Sequence, residues 1–462
     1  MDVAEGPSSS SVVSEQTIEA GHTLLLKMPT GDVRPHKIEK DTTVNLGKFG
    51  SFHANHLIGQ PYGLTYDIVD KSLKVVPPRP IQEVEDTEAT NELINDGEFV
   101  QPLTSEEIEE LKKQGLPADE IVKRQIEQHA NYQLKTEYSK EKYKKRKVAK
   151  YSKGFSTVIP ALYNVCEYWF NKDATRLRDI RPDALSQILN LASIRPGGRY
   201  LCVDDASGIV VTGILQRLAG EGRLITICDI ESPPAYPCMV QMNFPKEHTA
   251  VISSLNWATA DEDYTPIVAS SEPPTGKFKS EGQKSRLNKR KVASDMLMRH
   301  REELFAGEFD GLVIASQYDP WSILERLYPY LGGSASIVVH SPQVQILSDL
   351  HAKLRDLPGY LGPSLTEGFL RRYQVLPGRT HPTMNTSGTG GFILHAIKVY
   401  DDPNASSVMA HRQKAKKAKL EAEANANAAP ATSSAEPERP VSDETLAETT
   451  QPIESSDAAM ES

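Results

Sequence analysis

Apolar and polar positions alternate in short runs over the first part of the chain. The runs are His22 to Met28, Thr42 to Leu46, Leu64 to Val69 and Leu73 to Val76, separated by Gly31-Asp32, Gly47, Gly50 and Gly59-Gln60-Pro61. Strands so short and so spaced predict a small antiparallel barrel or sandwich over residues 16–80, ended by Pro77-Pro78-Arg79-Pro80. An acidic linker to about Val100 follows. Thr104 then caps a helix with Glu106 and Glu107 in its first turn. Ile108 and Leu111, then Ile121, Val122 and Ile126, mark two short helices broken at Gly115-Leu116-Pro117. Residues 81–153 are thus a linker with helices, and a second domain of residues 154–400 is expected to open at Gly154.

In that second domain the pattern changes to continuous apolar runs alternating with helical spacing, which predicts a doubly wound α/β sheet. Its opening βαβ unit is the clearest stretch of the chain. Arg195-Pro196-Gly197-Gly198-Arg199 leads into the strand Tyr200-Leu201-Cys202-Val203-Asp204, and after a helix a second strand ends at Asp229. A third strand is predicted at Thr249 to Ser253, then strands at Phe309 to Ala315 and Ala335 to His340. Val158 to Asn171 is apolar and aromatic, and helices are expected at Asp183 to Ala192, Pro320 to Leu331 and Val344 to Leu357. Phe369 to Leu376 and Gly391 to Val399 are expected to close the sheet as an antiparallel pair. Residues 258–305, rich in Pro, Ser and Lys, read as a flexible insert.

Charge changes the picture more than composition does. The chain has 462 residues, a hydrophobic fraction of 39% and a formal charge of −10, with a mean hydropathy of −0.43. Those values suggest an ordinary core diluted by disordered ends, expected at residues 1–15 and 401–462. From Glu421 onward ten acids face one base, Arg439, so the end carries −9 and the rest only −1. Within that rest, Lys135 to Lys153 holds nine bases and two acids, a local +7, interleaved with Tyr138, Tyr143 and Tyr151. Such a run is a solvated face, a nuclear-import signal, or a phosphate-binding surface with aromatic partners for sugar and base. The cysteines Cys166, Cys202, Cys228 and Cys238 are scattered, so buried thiols in a reducing compartment are expected and no metal site. No apolar run approaches the ~18 residues of a membrane span, and none is expected.

Candidate chemistry centres on the loop after the first strand of the βαβ unit, where a cofactor must approach backbone closely. It reads Asp204-Asp205-Ala206-Ser207-Gly208-Ile209, with one glycine where a methyltransferase version would carry three. Asp229 either accepts from ribose hydroxyls, as the acid ending the second strand often does, or merely caps its strand. Ser316-Gln317-Tyr318-Asp319-Pro320-Trp321 is either a polar-aromatic motif that orients a target nitrogen or an ordinary helix start. Arg379-Thr380-His381-Pro382 and Ser387-Gly388-Thr389-Gly390-Gly391 are a glycine-rich hairpin loop or a ligand-facing one.

Three segments together carry a resemblance. They are Lys135-Thr136-Glu137-Tyr138-Ser139-Lys140-Glu141-Lys142-Tyr143-Lys144-Lys145-Arg146-Lys147, Arg195-Pro196-Gly197-Gly198, and Tyr373-Gln374-Val375-Leu376-Pro377-Gly378-Arg379-Thr380-His381-Pro382 with Ser387 to Phe392. In these the chain resembles the non-catalytic subunit of the eukaryotic tRNA (adenine-58-N1)-methyltransferase, from about Thr17 to Val399. The resemblance implies a small N-terminal β-barrel domain, a helical basic linker and a Rossmann-like methyltransferase fold whose cofactor loop is degenerate. It implies a catalytic methyltransferase partner subunit, a heterotetramer of two plus two, and a nuclear location. S-adenosylmethionine is then expected in the partner, and no cofactor on this chain.

By the same resemblance three segments would contact tRNA. The first is Asn91, Glu92, Leu93, Ile94, Asn95, Asp96, Gly97, Glu98, Phe99, Val100 and Gln101. The second is Lys142, Tyr143, Lys144, Lys145, Arg146, Lys147, Val148, Ala149, Lys150 and Tyr151. The third is Leu376, Pro377, Gly378, Arg379, Thr380, His381, Pro382, Thr383 and Met384. No catalytic residue is expected. The alternative is an active S-adenosylmethionine-dependent RNA methyltransferase in its own right, and a third reading is a scaffold that uses the fold only for protein contacts.

Overall fold

The structure is a computed structural model, which describes residues 17–77, 104–113, 118–128, 132, 136–231, 234–265, 280–376, 379–400 and 416–421. The segment Asn91 to Gln101, both expected disordered ends apart from residues 416–421, and residues 266–279 of the insert lie outside the described residues. Residues 416–421 form a short helix in a unit of their own.

The N-terminal part begins with β1 (Thr23–Lys27), β2 (Val33–Lys37), β3 (Thr43–Asn45), β4 (Ser51–His53), β5 (Thr65–Val69) and β6 (Ser72–Val76). The helices α1 (Ser105–Lys113), α2 (Ala118–Glu127) and α3 (Glu137–Tyr151) follow, then β7 (Gly154–Val158). These strands make an antiparallel sheet in the order β2-β1-β7-β5-β6, with β3 and β4 paired as a separate ribbon. Sheet and ribbon share one core around Leu24, Leu26, Phe49, Phe52, Tyr66 and Phe155. The end strands β2 and β6 are not paired with each other among the described residues; the strands form an antiparallel sheet packed with a two-stranded ribbon, within the barrel or sandwich expected of the sequence. Strand β2 was not anticipated, because Pro35 breaks its pattern; as an edge strand it tolerates a residue that donates no ladder bond.

Strand β7 corrects the expected boundary. Instead of opening the second domain, it lies in the middle of the first sheet, pairing Leu25 with Val158 and Thr65 with Ser156. Gly154 is required there, since a Cβ would stand 2.3 Å from the Tyr66 carbonyl oxygen. Sequence periodicity identifies a strand but not its neighbours, which tertiary pairing decides.

The second part holds α4 (Leu162–Lys172), α5 (Pro182–Leu191), β8 (Arg199–Asp204), α6 (Ile209–Leu218), β9 (Arg223–Cys228), α7 (Pro237–Gln241), α8 (Lys246–Thr249) and β10 (Ile252–Asn256). Next come α9 (Glu281–Phe305), β11 (Phe309–Ala315), α10 (Pro320–Leu327), β12 (Leu331–Ser341), α11 (Val344–Asp356), β13 (Tyr360–Glu367), β14 (Tyr373–Leu376), β15 (Arg379–Pro382) and β16 (Phe392–Lys398). Seven strands form one sheet in the order β10-β9-β8-β11-β12-β16-β13, parallel except that β16 runs against both neighbours. That is a doubly wound sheet with an antiparallel strand inserted near one edge, the Rossmann-like methyltransferase fold. Apolar clusters cover both faces. Val210, Ile214 and Leu215 of α6 belong to one, and Leu324, Leu347 and Leu354 of α10 and α11 to the other.

Two further expectations are corrected. Gly391 to Val399 does not pair with Phe369 to Leu376; β16 pairs with β12 and β13, while β14 and β15 form a separate hairpin. Strand β13 escaped notice because Gly362 and Pro363 interrupt its pattern and much of it is exposed. Much of the supposed flexible insert is the 25-residue helix α9. Its Lys- and Ser-rich composition lacks an apolar stripe, so periodicity could not announce it.

Candidate nucleotide crevice and basic surfaces

A doubly wound sheet offers its crevice at the carboxyl ends of the strands, where the strand order reverses between β8 and β11. The turn after β8 is organised by Asp204. Its carboxylate accepts the backbone N–H groups of Ala206 (2.7 Å), Gly208 (3.2 Å) and Val211 (2.9 Å), satisfying donors at the head of α6. Burial pushes its carboxyl up to about 6, opposed by those three hydrogen bonds.

The rest of the turn is filled by side chains. Ala206 is fully buried, and Ser207 sits at φ +58° with its hydroxyl donating to the Arg176 carbonyl at 3.0 Å. Tyr236 lies over Gly208 so closely that a Cβ there would be 2.5 Å from its ring. Burial raises the Tyr236 phenol well above its ordinary range.

Two links cross from the loop after β11. The Ser316 hydroxyl and the Gln317 N–H donate to Asp205 Oδ2 at 2.6 and 3.0 Å. The Tyr318 hydroxyl donates to Asp229 Oδ2 at 2.9 Å, so the acid at the end of the second parallel strand is already engaged. Asp319 accepts from Ser322 N–H at 2.9 Å and caps α10, with Pro320 in its first turn. Asp319-Pro320 therefore starts a helix, the plainer of the two sequence readings.

The basic segment is α3, capped by Thr136, which accepts from Ser139 N–H at 3.3 Å. It rests on α1 and α2 through Val148 and Tyr151, which join Ile108, Ile121 and Val122 in a small apolar cluster. Tyr151 is buried and accepts from Gln125 Nε2 at 3.3 Å, so it is not open for stacking, contrary to what interleaving suggested. Tyr143 is half-buried edge-on to Tyr132, with Lys147 above its ring. Lys142, Lys145, Arg146 and Lys150 are exposed, and Lys144 is half-exposed. The helix runs almost directly into β7, where the Lys153 carbonyl accepts from Ile68 N–H at 2.8 Å, so its end is fixed to the first sheet.

The third segment is the β14–β15 hairpin, which leaves and rejoins the sheet at its carboxyl-end side because it connects β13 to β16. Thr380 is exposed, His381, Pro382 and Thr383 are half-exposed, and Met384 stands out at 82% exposure. Pro377 and Gly378 lie outside the described residues. The structure thus sets α3 and the hairpin on separate supports.

Sequence reasoning missed the residue that anchors the hairpin. Arg181 is buried at the head of α5 and forks onto both oxygens of Asp183 at 3.0 and 2.9 Å. It also donates to the Gly368 carbonyl before the hairpin (2.8 Å) and the Ser387 hydroxyl after it (3.3 Å). The glycines that follow are explained by that clamp. A Cβ on Gly390 would be 2.7 Å from Arg181 Nε, and one on Gly391, at φ +79°, would be 2.2 Å from His340 Nε2. His340 is buried, which lowers its imidazole to about 4. The only sequence signal was an arginine before a helix-opening proline.

Residues 17–291 match the Gcd10p family. The tRNA (adenine(58)-N(1))-methyltransferase non-catalytic subunit of Candida glabrata is 30% identical, over 88% of this chain and 98% of its own length. The subunit of the same name from Debaryomyces hansenii is 26% identical, over 86% of this chain and 89% of its own. Among solved structures, a SAM-dependent O-methyltransferase from Thermotoga maritima is similar at 12% identity and a TM-score of 0.46, covering 84% of this chain and 96% of its own. The family match covers more than half of the 462 residues, and this chain belongs to the Gcd10p family.

Proposed function

We propose that this chain is the non-catalytic, tRNA-binding subunit of a tRNA (adenine-58-N1)-methyltransferase. In this reading a catalytic partner subunit holds S-adenosylmethionine and transfers the methyl group, while this chain captures and orients the folded tRNA. The relatives in the family carry that subunit's name. The observation that carries the reading is the crossed crevice. The Tyr318 hydroxyl donates to one oxygen of Asp229 at 2.9 Å, and the Tyr236 ring stands against Gly208 at the turn before α6. A methyl donor needs that acid for its ribose and bare backbone at that turn. These residues do not suit it, and no step of the reaction is assigned to them.

The chain's own contribution is electrostatic and geometric. Exposed bases on α3, a helix that rests on α2 and is joined at its end to the first sheet, supply phosphate contacts whose strength falls as salt rises. Holding a substrate in register lowers the entropic part of a partner's barrier. The hairpin clamped by Arg181 offers a second contact, and residues 91–101 a third. The run Lys144-Lys145-Arg146-Lys147 also has the composition of a nuclear-import signal, which supports a nuclear location. We further propose a two-plus-two assembly with the partner, to be checked by light scattering.

The deciding experiment is a methylation assay of this chain alone, the partner alone and both together, with titration calorimetry of this chain against S-adenosylmethionine. Activity is expected only from the pair, and no micromolar binding of the donor to this chain. Methylation by this chain alone, or clear donor binding to it, would instead mean an active enzyme.

A further inference from the structure

Helix α9 is secured at one end and open at the other. Near its end Arg301, buried at 7% exposure, donates to the carbonyls of Thr259, Asp261 (2.8 Å) and Tyr264 (3.0 Å). Glu303 takes Arg223 Nε on both oxygens at 2.7 and 2.8 Å, and Leu304 is fully buried. Toward its start the picture reverses. Between Glu281 and Met296, about 24 Å of helix at ~1.5 Å per residue, the described side chains are exposed except Leu287 and Ser294, which are half-exposed.

That outer part carries Lys284, Arg286, Lys289, Arg290 and Lys291 against Glu281 and Asp295. None of the five bases has an ion-pair partner among the described residues. Arg286, Lys289 and Arg290 stand at i, i+3 and i+4, where like charges repel. A helix that buries little and repels itself gains order from a polyanion laid along it. The connection fixes where it projects. Helix α9 carries the chain from the carboxyl end of β10 back to the amino end of β11, parallel strands of one sheet. Its outer part therefore extends toward the carboxyl-end side, the side of the crevice and of the β14–β15 hairpin.

We propose that the outer half of α9 is an RNA-phosphate-binding arm that grips the tRNA at the carboxyl-end side of the sheet, an inference that rests on the tRNA-binding reading above. The arm meets the sugar-phosphate backbone and carries no base specificity.

The test uses the assembled complex with its partner subunit and unmodified tRNA, with affinity measured by fluorescence anisotropy across a salt series. One variant is Arg286→Gln/Lys289→Gln/Arg290→Gln, whose glutamines keep helix propensity. The comparison is Lys144→Gln/Lys145→Gln/Arg146→Gln on α3. The α9 variant is expected to bind roughly tenfold more weakly at low salt, with the slope of log affinity against log salt reduced by about 2. Its complex mass and melting temperature are expected to stay unchanged, and Lys289→Arg to bind like the parent. Undiminished binding by the α9 variant, with weakened binding by the α3 variant, overturns the arm and leaves the tRNA reading standing. Undiminished binding by both overturns both. Weakened binding with an unchanged salt slope, or loss of the partner from the complex, overturns the arm in favour of a protein contact.

Discussion

Asp204 sits in conflict between burial and hydrogen bonding. Asp204 is half-buried, and a carboxylate withdrawn from water is penalised as an anion while three backbone N–H groups aim at it. Asp204→Ala is expected to lower stability by about 2–3 kcal/mol, because buried donors lose their acceptor; denaturant unfolding measures it. The pH dependence runs in the acid's favour. Its folded value, about 6, lies above the ordinary carboxylate range. Its contribution is therefore complete below about pH 4 and fades as pH rises through 6. Compared with Asp204→Asn, the parent should gain stability as pH falls from 7 to 4, and parallel curves would refute this. The loop's place and its shortage of glycines were both legible in the sequence. The Tyr318–Asp229 bond was not, because it joins residues 89 apart whose meeting depends on the sheet order.

Among elements, those with their own periodicity were legible: β8, α6, β9, β11 and β12 bury nearly every side chain and read as apolar runs. Those defined by where they dock were not. The hairpin is the sharpest case, since among the described residues its strands pair only with each other and it is attached through two guanidinium groups, buried Arg181 and Arg372 on Glu167. An ammonium cannot fork onto Asp183 while reaching two further acceptors on either side of the hairpin. Arg181→Lys is accordingly expected to cost about 2 kcal/mol. Amide exchange across β15 and the loop to Gly391 should speed up while exchange in β8 and β9 stays slow. Uniform acceleration everywhere would show that Arg181 supports the core and not the hairpin.

At the scale of the whole molecule, two sheets are linked by direct contacts as well as by chain. Asn243, after α7, accepts from Thr23 N–H at 2.7 Å and donates to the Thr23 carbonyl at 2.9 Å, fastening the first strand of one sheet to the helical layer of the other. Leu25 of β1 likewise belongs to the core of the second part. The two-part layout was legible from the change of period along the chain. The interlock was not, because it depends on one amide and one leucine meeting surfaces some two hundred residues away.

The central position of β7 makes the N-terminal module a product of two distant stretches of polypeptide. A chain severed by an engineered protease site between Glu83 and Asn95 should behave as a non-covalent pair, eluting as one species and separating only in denaturant. A product stopping at Val76 would leave β1 and β5 facing an unfilled slot, with bare ladder edges inviting aggregation. If such a short product instead proved soluble and monomeric, the first sheet would have to close without its middle strand.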